Sequence, residues 1–344
     1  MPPIRPILRR WLPYLLFAFL ASAQARDRPV LAGVNLAGAE FNSARKPGVA
    51  NKDYVFPRES DFAYFAAQGM NAIRLPLLWE RLQPQAGGAF DADYFGKLTA
   101  AVAQARRHDL QVVLDVHNYA RYQGRRLGDD ANSAAALADL WRRLAKAFGK
   151  DGGVLFGLMN EPHGIDAPSW AKLAQAAIDA IRATGARNWI LVPGTAWSGA
   201  HSWHSTGYGV PNSKALLAIR DPAGRIAFEV HQYLDADFSG TSPDCVSERI
   251  GVEKMRGFTA WLREHRKLGF LGEFGVSRQP ACLAALDGLL AHIEQHRDLW
   301  LGWTYWAAGA WWKPDYPFSV QPRDGQDPAP QLRILSRRAK ALID

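Results

Sequence analysis

Hydrophobic runs of strand length recur eight times along the chain, and polar residues follow most of them. Between these runs lie segments rich in Ala and Leu with charged residues spaced around them, which is typical of surface helices. Apolar strands that alternate with helices predict a parallel sheet whose outer side is covered by the helices. Eight such strand–helix units favour a single (β/α)8 TIM barrel, an α/β fold.

The predicted strands share an apolar composition and lie at Leu31–Gly38, Asn71–Leu78, Val112–His117, Val154–Glu161, Trp189–Gly194, Ile226–Tyr233, Phe270–Gly275 and Leu299–Ala307. The predicted helices lie at Ala131–Phe148, Trp170–Ala183, Val252–Lys267, Cys282–His296 and Gln331–Ile343.

A doubly wound open sheet is the competing architecture, and it usually carries a Gly-rich phosphate-binding loop after its first strand. Gly33 and Gly38 do not form that pattern, so the barrel is the preferred prediction. No long linker or low-complexity segment divides residues 26–344, which we expect to form one catalytic domain. Two irregular stretches, Gly199–Gly209 and Ala308–Pro330, are expected to be loops on the working face of the barrel.

The start of the chain has the layout of a secretory signal peptide. Three Arg residues precede the apolar segment Trp11–Ala21, and Ala23-Gln24-Ala25 resembles a small-residue cleavage site. This order of features predicts a cleavable signal peptide over residues 1–25. The apolar segment is too short to span a membrane comfortably, and an uncleaved anchor is the alternative. We therefore expect a secreted protein, extracellular or periplasmic, with no membrane partner after cleavage.

The composition is that of an ordinary globular protein, with 344 residues, 48% hydrophobic and 22% charged. The formal net charge is +8, and removal of the three leader Arg residues lowers it further, so the mature chain is only mildly basic. No basic block is interleaved with aromatic residues, so we expect no nucleic acid partner. Export would expose Cys245 and Cys282 to an oxidising compartment, where they could form one disulfide; two free buried thiols are the alternative.

Polar side chains stand where the predicted strands end. They include two carboxylates, Glu161 and Glu273, and the other strand ends supply Arg74, His117, Asn160, His231, Tyr233 and Trp306. The carboxyl ends of the strands in a TIM barrel meet at one rim, where active sites lie. Because an apolar strand does not easily accommodate an ionised Glu, two Glu residues at strand tips indicate a reaction centre.

Two carboxylates about 5 Å apart can hydrolyse a glycosidic bond with retention of configuration. Glu273 should stay ionised beside Arg74 and the Tyr233 hydroxyl, because both neighbours favour the charged form. Glu161 would need a more apolar or anionic setting to hold a proton near neutral pH. Asn160 is placed by sequence to hydrogen-bond the 2-hydroxyl of the sugar.

The Trp content agrees with a carbohydrate site, since indole faces stack on pyranose rings. Trp306, at a strand end, is the best candidate platform, and Trp197, Trp203, Trp311 and Trp312 are weaker candidates in loops. About half of the Trp residues are expected to pack in the core, among them Trp141, Trp189 and Trp261.

Other chemistries fit the sequence less well. The residues His117, Glu161, His231 and Glu273 could surround a divalent ion, as in a barrel isomerase or aldolase, but no HExxH or close Cys/His spacing supports a metal site. The absence of a G-x-S-x-G motif argues against a serine hydrolase. A carbohydrate-binding barrel without catalysis is a further alternative, although both Glu residues are retained.

Six segments resemble glycoside hydrolase family 5 in order along the chain. They are Gly33-Val34-Asn35-Leu36-Ala37-Gly38, Arg74-Leu75-Pro76, Asp115-Val116-His117-Asn118-Tyr119, Asn160-Glu161-Pro162-His163, His231-Gln232-Tyr233-Leu234-Asp235 and Gly272-Glu273-Phe274-Gly275. Within that family the chain is most similar to the endo-β-1,4-glucanase (cellulase) branch that includes secreted fungal enzymes.

The resemblance implies that Glu161 is the acid/base and Glu273 the nucleophile, with Arg74 and Tyr233 supporting Glu273. It implies that His117, Asn160, His231 and Trp306 shape the subsite of the reacting sugar. It also implies a Cys245–Cys282 bridge and no cofactor.

The expected function is that of a secreted, retaining endo-β-1,4-glucanase that acts as a monomer on a polysaccharide. A β-mannanase, or an enzyme of mixed-linkage glucan or xyloglucan, is the alternative, because the catalytic residues do not separate these substrates. No cellulose-binding module is recognisable in the sequence, so soluble or amorphous glucan is the expected substrate.

Overall fold

The computed structural model describes residues 28–130 and 132–344. The predicted signal peptide at residues 1–25, and Ala131 at the start of one predicted helix, lie outside these residues. The unit Leu31–Asp344 contains all of the helices and strands that follow. Within the described part of the chain, no helix combines the length and the apolar character that crossing a membrane requires.

Eight parallel strands close into a barrel, which confirms the predicted fold. In chain order they are β1 (Leu31–Leu36), β2 (Ala72–Leu77), β3 (Gln111–Val116), β6 (Val154–Gly157), β7 (Ile190–Pro193), β8 (Ile226–His231), β9 (Gly269–Glu273) and β10 (Trp300–Ala308). Each strand pairs with its neighbours in sequence order, and β10 returns to pair with β1. The strands β4 (Arg121–Tyr122) and β5 (Arg125–Arg126) form a separate small antiparallel sheet.

Helices follow the strands. They are α1 (Glu59–Ala67), α2 (Trp79–Leu82), α3 (Ala92–Arg107), α4 (Ser133–Phe148), α5 (Ala167–Arg182), α6 (Asn212–Ala215), α7 (Ile250–Glu264), α8 (Pro280–Gln295) and α9 (Pro330–Ile343). The start of α5 shows a local cause, because the Asp166 carboxylate accepts a hydrogen bond from the Ser169 amide and Pro168 occupies the first turn. Such a cap satisfies an amide that has no partner within the helix.

The lower half of the barrel is filled by apolar side chains from the beginnings of the strands. They are Leu31, Ala72, Val113, Leu155, Leu191, Ala227, Phe270 and Leu301, all of which are fully buried. Burial of this layer excludes water from the amino ends of the strands and stabilises the closed barrel. The polar side chains are thereby confined to the carboxyl ends.

The predicted strand Val154–Glu161 is too long, because β6 ends at Gly157. The next residues still follow the barrel wall, since the Leu158 amide donates to the Leu191 carbonyl and the Asn160 amide donates to the Val116 carbonyl. Glu161 then has a φ of 42°, in the left-handed region, which ends the extended path. This turn sets the direction of the Glu161 side chain, which begins four residues beyond the end of β6.

Candidate active site

Arg74 is fully buried in β2 and lies at the centre of the polar cluster. Its Nη1 donates to Glu273 Oε1 at 2.7 Å and to Asn35 Oδ1 at 3.0 Å. Its Nη2 donates to Asn160 Oδ1 at 2.9 Å. One guanidinium thus fixes side chains from three other parts of the barrel rim, which its planar set of donors makes possible.

Two further buried carboxylates contact Arg74. Asp115 Oδ1 is 3.1 Å from Arg74 Nη2, and Glu229 Oε1 is 3.1 Å from Arg74 Nε. Burial alone would raise the pKa of Asp115, but Arg74 and His117 together lower it. Burial would lower the pKa of Arg74, yet Asp115, Glu229 and Glu273 hold it above its usual value. The cluster therefore keeps Arg74 charged.

Glu273, the last residue of β9, is held through both of its carboxylate oxygens. Oε1 accepts from Arg74, and Oε2 accepts from the Tyr233 hydroxyl at 3.1 Å. The net direction of its pKa differs from our expectation. Burial raises the pKa of Glu273, and this outweighs the lowering by His231 and Arg74, while the nearby Glu161 carboxylate raises it further. Burial and a second carboxylate oppose ionisation, whereas the expectation of an ionised Glu273 rested on its favourable neighbours alone.

Glu161 stands opposite Glu273. Its Oε1 is 2.8 Å from His231 Nδ1, and His231 Nδ1 is 3.7 Å from Glu273 Oε2. An oxygen of Glu161 and an oxygen of Glu273 lie within 4.8 Å of each other. Although burial would lower the pKa of His231, the surrounding carboxylates raise it to about 10. The raised pKa favours a charged imidazole ring between the two carboxylates, which would reduce their mutual repulsion.

His117, which follows β3, connects the cluster to the rim. Its Nδ1 is 2.7 Å from Asp115 Oδ2, and its Nε2 is 3.1 Å from the Tyr119 hydroxyl and 3.2 Å from Asn160 Nδ2. Burial would lower the pKa of His117, but Asp115 raises it. The imidazole also stacks on the Trp306 indole, with ring centroids 5.6 Å apart and planes 16° apart. Trp306 thus has a fixed orientation and a partly exposed face.

A cavity of about 340 Å³ opens beside Glu161. Its wall includes His231, Tyr233, Trp197, Tyr208 and Phe238. Trp197 is 46% exposed and stacks on the His163 imidazole, with centroids 4.7 Å apart. A second depression of about 430 Å³ lies beside Trp312, which contacts Trp306 edge-on at 5.9 Å. Aromatic surfaces therefore extend away from the carboxylate pair.

Comparison with known proteins decides the family. The sequence model named Cellulase (glycosyl hydrolase family 5) matches residues 32–309, which includes every polar residue of the cluster. The chain belongs to glycosyl hydrolase family 5.

Curated and solved relatives in this family are similar over most of their length. The chain is 39% identical to "Endo-beta-1,4-glucanase B" of Emericella nidulans over 294 residues, covering 85% of this chain and 86% of the relative. A triple mutant of an endo-beta-1,4-glucanase from Xanthomonas axonopodis pv. citri is 56% identical, with a TM-score of 0.89 and coverage of 90% and 99%. The structure of XacCel5A in complex with cellopentaose is 56% identical, with a TM-score of 0.88 and coverage of 91% and 99%.

The structure brings together eight of the predicted site residues of this family 5 protein, namely Arg74, His117, Asn160, Glu161, His231, Tyr233, Glu273 and Trp306. Trp197 lines the same cavity as Glu161. Trp203 does not belong to the site, because it is fully buried against Phe258 and Trp261. The predicted core residues Trp141, Trp189 and Trp261 are buried.

Four residues of the cluster were not among the predicted site residues: the buried Asn35, Asp115 and Glu229, and the half-buried Tyr119. Two of them could have been found from spacing. Asp115 precedes His117 by two residues, and Glu229 precedes His231 by two residues. Successive side chains of a strand alternate between its faces, so a residue two positions before a rim residue points into the barrel as well.

The geometry of Glu161, His231 and Glu273 resembles that of a metal site, because one possible ligand atom of each lies within 4.8 Å of the others. The chemistry of the set does not fit a cation. The His231 Nδ1 atom that would bind a metal already faces Glu161 Oε1 at 2.8 Å, and the carboxylates that raise the pKa of His231 favour the ring form without a lone pair. Arg74 adds a further positive charge against Glu273. The trio is better described as a hydrogen-bonded acid–imidazolium group.

Cys245 and Cys282 form a disulfide, with Cα atoms 5.4 Å apart. The bridge joins the loop after β8 to α8. The same loop contains Gly240, where a Cβ would lie within 2.6–2.8 Å of the Tyr233 ring. A side chain at this position would therefore displace Tyr233, the partner of Glu273. The loop is held further by Asp235, whose carboxylate accepts from the amides of Gly240, Thr241 and Ser242.

Glu40, just after β1, is a buried carboxyl near the site. Its Oε2 accepts from the Gly38 amide at 2.8 Å, and its Oε1 has no hydrogen-bond partner among the described residues. Burial raises the pKa of Glu40 to about 7, in spite of the nearby His117.

Proposed function

We propose that this family 5 protein is a retaining endo-β-1,4-glucanase that hydrolyses internal bonds of cellulose or soluble β-glucan. One observation carries the proposal: oxygens of Glu161 and Glu273 lie within 4.8 Å of each other. Retaining glycosidases need carboxyl groups about 5 Å apart, whereas inverting enzymes leave room for a water between them. The names of the relatives, and the cellopentaose bound to XacCel5A, support β-1,4-glucan as the substrate.

In the first step, Glu273 is the nucleophile and Glu161 the general acid. Glu273 attacks the anomeric carbon while Glu161 gives a proton to the leaving oxygen. Arg74 and Tyr233 hold one oxygen of Glu273 each, which orients the carboxylate. Burial opposes the charge on Glu273, so transfer of that charge to the new bond relieves a desolvation cost.

In the second step, Glu161 acts as a base and removes a proton from the water that attacks the glycosyl–Glu273 ester. Asn160 supports both steps. Its Oδ1 is held by Arg74 and its Nδ2 lies 3.2 Å from His117 Nε2, which leaves the second Nδ2 hydrogen for the 2-hydroxyl of the sugar. Trp306 provides the platform for the reacting sugar, and Trp197 provides one for a glucose unit farther along the cavity.

The decisive experiment traps the covalent intermediate. The protein is incubated with a 2-deoxy-2-fluoro cellobioside that has a good leaving group, and the labelled peptide is sequenced by mass spectrometry. We expect the label on Glu273. A label on another residue, or hydrolysis by Glu273→Ala at the parent rate, would contradict the nucleophile assignment. Activity should be indifferent to chelators, since no step uses a metal.

Substrate preference is tested by turnover of carboxymethyl-cellulose, mannan, barley glucan and xyloglucan under one set of conditions. Cellulose derivatives and barley glucan should be hydrolysed fastest, with internal cleavage seen as a rapid fall in viscosity. Equal or greater turnover of mannan would overturn the assignment.

We also propose that residues 1–25 are removed on secretion and that residues 26–344 form a monomeric, single-domain enzyme. The disulfide supports an oxidising destination. Intact mass of the exported protein should correspond to a chain that starts at Arg26, and light scattering should give the mass of one chain.

A further inference from the structure

Glu229 is a buried carboxylate to which the mechanism above gives no role. It lies on β8, two residues before His231, so both side chains point into the barrel. Glu229 is fully buried. An isolated carboxylate in such a position costs several kcal/mol or more, so its charge must be matched by its neighbours.

The Glu229 carboxylate lies beside the side chains of Arg74 and His231. Arg74 Nε is 3.1 Å from Glu229 Oε1, and His231 Nε2 is 3.5 Å from the same oxygen. None of these buried atoms has a hydrogen bond of good geometry to any described residue. The contacts are therefore chiefly electrostatic, and an ionised Glu229 would favour a charged ring on His231.

The barrel makes room for this carboxylate at Gly272 on the adjacent strand β9. A Cβ at Gly272 would lie 2.0 Å from Glu229 Oε1. Any other residue at this position would push the carboxylate away from Arg74 and His231. Gly272, the residue immediately before the proposed nucleophile Glu273, thus leaves the space that the Glu229 carboxylate occupies.

We propose that Glu229 is a positioning residue that holds His231 as an imidazolium, so that His231 Nδ1–H donates to Glu161 Oε1 and the catalytic proton resides on Glu161 Oε2. This inference rests on the proposed retaining mechanism, in which Glu161 must protonate the leaving oxygen.

The reason lies in the three proton arrangements open to His231. A neutral ring with its proton on Nδ1 would donate to Glu161 Oε1, but it would turn the Nε2 lone pair toward Glu229 Oε1, 3.5 Å away, which an ionised Glu229 disfavours. A neutral ring with its proton on Nε2 would present a lone pair at Nδ1, which is 2.8 Å from Glu161 Oε1. The Glu161 proton would then be drawn to Oε1 and would face His231 instead of the substrate. A ring that carries protons on both nitrogens can only donate at Nδ1, so Oε1 is occupied as an acceptor. The proton is left on Oε2 and moves to the leaving oxygen when the glycosidic bond breaks.

The charges that face His231 come from several strands. Glu229 precedes it on β8, Glu273 ends β9 and Glu161 follows β6, while Arg74 on β2 and Asp115 on β3 lie behind them. Of the three carboxylates beside the ring, Glu161 and Glu273 change their charge or bonding during the reaction. Glu229 is the one that stays constant through both steps, so it is the one that can hold the imidazolium throughout.

Leaving-group dependence tests this role. Hydrolysis of cellopentaose needs acid assistance, whereas 2,4-dinitrophenyl β-cellobioside has a leaving group that departs without it. In Glu229→Gln, kcat/KM should fall by at least about 20-fold on cellopentaose and by less than about 3-fold on the dinitrophenyl substrate. Equal losses on both substrates would show that Glu229 acts only through Arg74 on the nucleophile, and an unchanged kcat/KM on cellopentaose would show that it has no role; either result overturns the proposal.

Asp115→Asn is the matched control. Asp115 also contacts Arg74 and is also fully buried, but its other partner is His117 instead of His231. We expect kcat/KM of this variant to fall by similar factors on the two substrates. A selective loss on cellopentaose in Asp115→Asn would mean that any change in the buried charge has this effect, and would overturn the specific role of Glu229.

A measurement on the unchanged protein does not depend on whether Glu229→Gln folds. In the ¹⁵N spectrum of histidine-labelled protein, His231 should have protons on both ring nitrogens at pH 7, with its signals assigned by their loss in His231→Gln. A neutral His231 at pH 7 overturns the proposal. This spectrum can be recorded whether or not the protein is active. A protein that hydrolyses no glucan would contradict the proposed function, whereas a neutral His231 would contradict the role of Glu229, so the two failures can be told apart.

Discussion

Arg74 Nη1 lies 2.7 Å from Glu273 Oε1, in a place where neither side chain is more than 5% exposed. Charge-assisted hydrogen bonds of this kind are short and geometrically demanding. The same guanidinium also holds Asn35 and Asn160. The proposed nucleophile and the proposed 2-hydroxyl contact are thus oriented by one residue.

Arg74→Lys should lower kcat by at least about 100-fold, because a lysine ammonium cannot replace the planar donors that hold Glu273 and Asn160 together. The measurement is kcat on cellopentaose, with circular dichroism to confirm folding. Arg81→Lys is the control, since Arg81 is as buried but donates to backbone carbonyls of Ala39, Asn42 and Pro47. Arg81→Lys should lower the stability of the protein and leave kcat unchanged. A similar loss of kcat in Arg74→Lys and Arg81→Lys would show that Arg74 has no specific role in orienting Glu273 and Asn160.

Tyr233→Phe removes the hydrogen bond to Glu273 Oε2 and should lower kcat by about 10-fold. Its effect on the free energy of unfolding should be smaller than that of Tyr305→Phe. Tyr305→Phe provides the comparison. Tyr305 is equally buried, but its hydroxyl donates to the Val276 carbonyl, away from the carboxylates. We expect Tyr305→Phe to destabilise the fold by about 1 kcal/mol without a change in kcat. Steady-state kinetics and thermal unfolding of both variants separate the two effects.

Trp306→Ala should reduce mainly kcat, because a platform at the reacting sugar helps to distort it toward the transition state. Trp197→Ala should instead raise KM for cellopentaose, since Trp197 lies farther along the cavity on His163. Kinetics on cellopentaose for both variants test the distinction. A change in KM alone for Trp306→Ala would place Trp306 at a distal subsite.

Reduction of the Cys245–Cys282 bridge should lower the free energy of unfolding by about 2–4 kcal/mol. The bridged residues are 37 positions apart, so the bond restricts a long loop in the unfolded chain. Guanidinium unfolding with and without reductant measures the effect, and Cys245→Ser with Cys282→Ser should reproduce it. An unchanged midpoint in reductant would exclude a stabilising role.

Stability should fall with rising pH because of Glu40. Burial raises its pKa from 4.5 to about 7, so its protonated form is favoured in the folded state. The associated stability is complete below the unfolded pKa and is lost as the pH rises through about 7. Glu40→Gln should therefore remove a pH-dependent loss of about 3 kcal/mol, measured as the difference in unfolding free energy between pH 5 and pH 8. Glu59→Gln, at a fully exposed Glu, should leave that difference unchanged; parallel pH curves for Glu40→Gln and the parent protein would refute the prediction.

The sequence pattern predicted the eight strands because apolar runs in a covered parallel sheet are continuous. It did not predict α1 and α3, although Phe62 and Phe65 in α1 and Leu98 and Val102 in α3 have helical spacing. The ends of the strands were harder to predict, because the backbone amides of Leu158 and Asn160 still donate hydrogen bonds to neighbouring chain segments after β6 has ended.

The predicted site residues come together in the structure, but the prediction omitted Tyr119 beside His117 and the buried carboxylates Asp115 and Glu229. Asp115 and Glu229 were missed because an apolar strand was expected to exclude a charged group. Arg74 supplies the compensating charge from another strand, and the sequence does not show which residues face one another across the barrel. Alternation along β3 and β8 indicates the direction of these side chains but not their partners.

The disulfide determines whether the two proposed catalytic residues stay covalently linked after a single cut in the chain. The segment between Cys245 and Cys282 contains α7 and β9, so Glu273 lies inside the covalent ring and Glu161 lies outside it. A protease that nicks the chain once within this ring leaves two fragments that are still tethered to each other. The severed ends can separate locally, but the nucleophile cannot diffuse away from its acid partner.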